Sequence, residues 1–76
     1  MTVDEVKEIL LLEINKEVKK QGLTQAYLGE LIGVRRAHVN NILKGTEKSV
    51  SLKKLLQIAE VLGLEIQVKI KRINNR

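Results

Sequence analysis

The chain has 76 residues, with 14 Lys and Arg against 9 Asp and Glu and a net charge of +5; a domain this short buries only about 60–65% of its unfolded surface, so its core is thin and an oligomer is expected. No cysteine and a single histidine exclude a disulfide framework and thiolate chemistry and argue against a metal site or cofactor. The longest apolar run, Ile9 to Leu12, falls far short of a membrane span or a signal-peptide core, so a soluble, unprocessed, cytoplasmic chain is expected.

The positive charge is uneven. From Arg35 to Arg76 there are 10 basic and 3 acidic residues, whereas Met1 to Glu17 carries 5 acidic and 2 basic ones. The basic part suits a polyanion, and the acidic first segment is expected to face away from it. With no proline, repeat or low-complexity stretch to mark a linker, residues 1–76 read as one domain.

Thr2-Val-Asp-Glu5 fits a capping box and opens the first helix. Val3, Val6, Leu10, Ile14 and Val18 form its apolar stripe, and Gly22 ends it. Ile9 and Leu12 lie off the stripe; either the C-terminal segment covers them or they belong to a subunit contact.

Thr24 caps a second helix through Ile32, with Leu28, Leu31 and Ile32 inward and Ala26, Tyr27 and Glu30 outside. Glycine inside a helix costs about 0.5–1 kcal/mol relative to alanine, so Gly29 points to a close backbone approach where two helices cross at a short turn. Gly33 supplies that turn. The third helix runs from about Arg36 to Lys44, with Val39, Ile42 and Leu43 inside and Gly45 as its stop. Residues 24–44 therefore read as two short helices joined by a tight turn, the layout of a helix-turn-helix DNA reader.

Ser51 caps a fourth helix whose Leu52, Leu55, Leu56, Ala59 and Leu62 are expected to face the core, and Gly63 ends it. The period then changes to two: Leu64, Ile66, Val68 and Ile70 alternate with Glu65, Gln67 and Lys69, which predicts a strand over 64–70. No other segment alternates. Its simplest partner is the same strand of a second subunit, paired antiparallel about a twofold axis with Leu64, Ile66, Val68 and Ile70 as the dimer seam. The alternative is an extended tail packed on its own domain.

At 100° per residue, Ala37, Asn40, Asn41 and Lys44 point away from the apolar side of the third helix, toward a major groove. Asn suits the N6 and N7 edge of adenine, Arg the O6 and N7 edge of guanine, and Ala37 allows close approach or contact with a thymine methyl. Arg36, near the N-terminal end where such helices meet bases, is the first choice for direct readout. Arg35 serves a base or a phosphate, and Lys44 and Lys48 serve phosphates. Gln25, in the first turn of the second helix, is placed to hold a phosphate beside that helix's own amides. His38 lies at the flank as a phosphate neighbour or surface residue, with no Ser, Cys or carboxylate spaced to work with it, and no enzyme is expected. Tyr27 either contacts a phosphate or packs on the first helix.

The pattern Leu23-Thr24-Gln25, Gly33-Val34, Val39, Ile42 and Gly45, followed by Ser51-Leu52, Leu55, Ile58, Ala59 and Leu62-Gly63, resembles the Cro/CI-type, or Xre-type, helix-turn-helix family over roughly residues 22–64. The resemblance implies an all-α, four- or five-helix lambda-repressor-like domain, here with a C-terminal β-strand. It implies Gln25 as phosphate clamp and Arg35, Arg36, Ala37, His38 and Asn41 as recognition-helix contacts to double-stranded DNA. The chain departs from the family where Arg35 replaces the usual Ser or Thr cap and Gly29 the usual Ala. Its Leu-Glu-Ile-Gln-Val-Lys-Ile ending looks like single-domain antitoxins. The expectation is a dimeric repressor of a palindromic operator, with an antitoxin that binds a toxin protein and represses its own operon as the alternative.

Overall fold

Thr2 opens α1 (Val3–Gln21) with both halves of a capping box: the Glu5 N–H donates to Thr2 Oγ1 at 3.1 Å, and the Thr2 N–H donates to Glu5 Oε1 at 2.8 Å. Thr24 and Ser51 cap α2 (Gln25–Ile32) and α4 (Leu52–Val61) in the simpler way, their hydroxyls accepting from the N–H of Tyr27 and Lys54. Between these lies α3 (Arg36–Lys44), whose cap residue Arg35 makes no side-chain capping bond, in line with its departure from Ser or Thr. The computed structural model describes residues 1–73, and these four helices are the regular elements among them.

All four helices contribute to one core: Leu10 and Ile14 from α1, Leu28 from α2, Val39 and Ile42 from α3, and Leu55, Ile58 and Ala59 from α4, closed by Leu62. Leu11, Val18, Leu23, Ile32, Val34, Leu43, Val50, Leu52 and Leu64 pack around its edge. Three expected core residues, Val3, Leu31 and Leu56, lie outside it. Leu31 and Leu56 are 43% and 38% exposed, because the buried arc of α4 runs through Leu55, Ile58, Ala59 and Leu62, and Leu56 sits about 100° off it. The buried part of the α1 stripe likewise starts at Leu10, leaving Val3 exposed.

Side-chain amides fasten α1 to the other helices. Asn15 Nδ2 donates to the Leu43 carbonyl at 3.0 Å and to the Leu11 carbonyl at 3.0 Å, tying the middle of α1 to the C-terminal turn of α3. Gln21 Nε2 donates to the Leu62 carbonyl at 2.9 Å, tying the end of α1 to the end of α4. The bonds to Leu43 and Leu62 satisfy carbonyls at helix ends that the helices themselves leave without partners.

The C-terminal segment differs from both expectations for it. Leu64 stays with the domain, half-buried, its N–H donating to the Ala59 carbonyl at 2.9 Å. Beyond it no strand forms among the described residues, and Ile66, Val68 and Ile70 are 43%, 79% and 90% exposed. The 64–70 strand and the tail packed on its own domain are therefore both absent from the single chain. The physical reason is the ladder: alternating side chains make a strand only when a second strand accepts its hydrogen bonds, and no segment among the described residues does so. Ile9 and Leu12 accordingly remain exposed among the described residues.

Candidate nucleic-acid interface

The presentation of α3 depends on the turn before it. Gly33 adopts φ +73°, the left-handed conformation that other residues take at a cost, and the Val34 N–H donates to the Gly29 carbonyl at 2.9 Å. A Cβ placed on Gly29 would lie 2.5 Å from the Val34 carbonyl oxygen and 3.4 Å from Val39 Cγ2. The α2–α3 approach is therefore closer than the alanine usual in the family it resembles would allow without a shift.

With Val39 and Ile42 buried, the opposite side of α3 is set by the helix period. Arg35, Arg36, Ala37, His38, Asn41 and Lys44 are all exposed, which gives the predicted recognition residues one solvent-facing surface. Asn40 differs. It is half-buried, and its Nδ2 donates to Gln25 Oε1 at 3.2 Å, so two residues predicted as separate contacts form one unit across the α2–α3 junction. That bond leaves the Gln25 amide nitrogen free to donate and fixes its direction from α3. Tyr27, half exposed, sits in the first turn of α2.

A groove beside this unit is lined by Lys19, Gly22, Gln25 and Lys44 together with Asn15, Val18, Leu23 and Leu43. Lys19 was not singled out in the sequence, where it belongs to a helix whose first turns are acidic; only the basic residues at the end of α1, Lys19 and Lys20, mark the change of sign. Two ammonium groups and an amide around one groove suit a phosphate strand. Lys48 is placed elsewhere, in a cleft shared with Asp4, Lys7 and Glu8, where the Lys7 ammonium lies 3.5 Å from the Lys48 carbonyl.

The other flank of α3 is different in character. Arg35, Ala37, His38 and Asn41 line a shallow cleft with Gly33, Val34 and Glu47. Glu47 belongs to the loop after α3, which folds back because the N–H groups of Thr46 and Glu47 both donate to the Asn41 carbonyl. It carries the negative charge of this cleft, and the composition of the third helix gave no sign of it.

Four helices in this order, with a tight turn between the second and third and a polar, basic surface on the third, define a helix-turn-helix DNA-binding domain. A family model described as a helix-turn-helix domain matches residues 4–71, and the chain belongs to that family. No curated protein and no solved structure matches it. No helix of the described residues is long and apolar enough to cross a membrane.

Proposed function

We propose that the protein is a sequence-specific transcriptional repressor of the Cro/CI type, reading the major groove of a palindromic operator as a homodimer in the cytoplasm. The observation that carries this reading is the exposed row Ala37, Asn41 and Lys44 on α3, flanked by Arg35 and Arg36 and packed closely against α2. The small Ala37 lets the helix approach the base edges. Arg36 and Asn41 read purine edges, while Gln25, oriented by Asn40, and Lys19 and Lys44 hold the backbone and set the register. The reading is one of binding, with no chemical step assigned to any residue.

Dimerisation is part of the proposal and is supported by the exposed alternating side chains Ile66, Val68 and Ile70, which a second copy would cover by pairing antiparallel about a twofold axis. Two α3 helices would then face half-sites about 34 Å apart, one turn of DNA. The same exposed row favours one alternative, an antitoxin whose C-terminal segment is covered by a toxin protein. Sedimentation of the chain by itself separates the two, since the first reading requires a dimer without a second protein.

Titration of the chain with labelled duplexes at two salt concentrations tests the function. A preferred duplex should bind at least about a thousandfold more tightly than a random one, with affinity falling steeply as salt rises. Equal affinity for all duplexes, or none for any, contradicts the reading.

A further inference from the structure

A carboxylate on a surface that meets DNA must find a hydrogen-bond donor or be repelled by the phosphates, and Glu47 stands in that position. Its Oε1 accepts from Ser49 Oγ at 2.7 Å, and its Oε2 lies 3.7 Å from His38 Nε2. The side chain is 31% exposed, in the same cleft as Ala37 and Asn41. The Ser49 bond thus holds it rather than leaving it to sweep through solvent, and it sits at the edge of the α3 surface that the proposed function assigns to base reading.

The chemistry narrows what such a group meets. An ionised carboxylate only accepts hydrogen bonds. In the major groove the donors are the exocyclic amines of cytosine and adenine, N4 and N6. Adenine sets its N7 acceptor beside N6, so a second carboxylate oxygen there faces a lone pair; cytosine presents its N4 amine without that neighbour.

We propose that Glu47 is a specificity residue that accepts a hydrogen bond from the N4 amine of a cytosine at the edge of the site read by α3. This rests on the DNA-reading function proposed above. A loop residue outside the recognition helix then contributes one letter of the operator, and the helix and loop read adjacent base pairs from one rigid unit, since the loop is bonded to the Asn41 carbonyl.

Binding sites are selected from random duplexes with the wild-type chain, and affinities are then measured for each single-base variant of the selected site with wild type, Glu47→Gln and Glu47→Ala. Wild type should prefer C·G at one flanking position by roughly tenfold. Glu47→Gln, which keeps the shape and an oxygen that can accept from Ser49 but adds an amide N–H to donate to adenine N7 while its oxygen accepts from N6, should move that preference toward A·T and leave other positions unchanged. Glu47→Ala should abolish it. Equal melting temperatures for the three proteins establish that the fold is intact. If both variants instead bind every duplex more tightly by the same factor, with the preferred sequence unchanged, Glu47 acts only as a repulsive charge and the proposal is overturned. If the wild type shows no preference among duplexes, the DNA-reading function itself fails, a result distinct from the first.

Discussion

Gly29→Ala is the substitution whose outcome the geometry decides most sharply. Alanine inside a helix is favoured over glycine by about 0.8–1.0 kcal/mol, so a position free of neighbours would gain stability. Here the added methyl lies 2.5 Å from the Val34 carbonyl oxygen, well inside van der Waals contact, and that oxygen belongs to the backbone of the turn and cannot rotate away. Relief requires α3 to move outward by a few tenths of an ångström or more, loosening the Val34 N–H bond to the Gly29 carbonyl and the packing of Val39 beneath it. Overpacking of this kind costs about 1–3 kcal/mol. Setting a midpoint of about 2 kcal/mol against the helix preference leaves a net loss near 1 kcal/mol, which lowers Tm by roughly 4–8 °C in a domain of this size. Because the shift opens the α2–α3 junction, the Asn40–Gln25 bond should lengthen and DNA affinity should fall beyond what instability alone produces. Thermal unfolding followed by circular dichroism gives the first quantity, and duplex titration well below Tm the second. A variant that melts higher than wild type and binds DNA equally would refute the reasoning, because it would mean that the turn accommodates a Cβ without strain.

Other substitutions separate reading from holding. Arg36→Ala or Asn41→Ala should cost about 1–3 kcal/mol on the preferred duplex and relax preference at one base pair, whereas Lys44→Ala should weaken all duplexes alike and lower the salt dependence by about one phosphate contact; uniform loss for Arg36→Ala across operator variants removes it from base readout. Asn15→Ala leaves the Leu43 carbonyl at the end of α3 without its partner and should destabilise by about 1–2 kcal/mol in urea unfolding; an unchanged midpoint would show that water replaces the amide without cost. Val68→Pro removes an amide from a paired ladder and should leave the helical signal intact while giving a monomer in sedimentation at about ten micromolar with much weaker operator binding, since the second half-site becomes a separate event. A wild-type chain that is itself monomeric there, or a proline variant that still dimerises, would place the dimer seam elsewhere.

Much of the fold was legible in the sequence because local chemistry fixes it. Thr2, Thr24 and Ser51 cap the helices they were expected to cap, and the third helix begins and ends as expected despite its uncapped start at Arg35. The errors arise where geometry between elements decides. Leu31 and Leu56 are apolar and helical, yet they sit at the edge of the packed faces and stay partly exposed, which periodicity by itself does not reveal. The 64–70 alternation reports only that one face would be apolar in a strand; whether a ladder exists depends on a partner outside the chain. In the candidate interface, the exposed surface of α3 followed from its period except at Asn40, which is half-buried against Gln25. The Asn40–Gln25 bond, the groove that Lys19 shares with Gln25 and the folding back of Glu47 beside His38 join separate segments in ways that no spacing rule encodes.

Selection of binding sites from a pool of random duplexes by the purified wild-type chain tests the central claim most directly, because it needs no operator known in advance. The account predicts enrichment of an inverted repeat whose half-site centres lie about 34 Å, or one helical turn, apart, with purines opposite the positions of Arg36 and Asn41. A pool that remains random after repeated rounds at moderate salt, while the protein is folded, would contradict it.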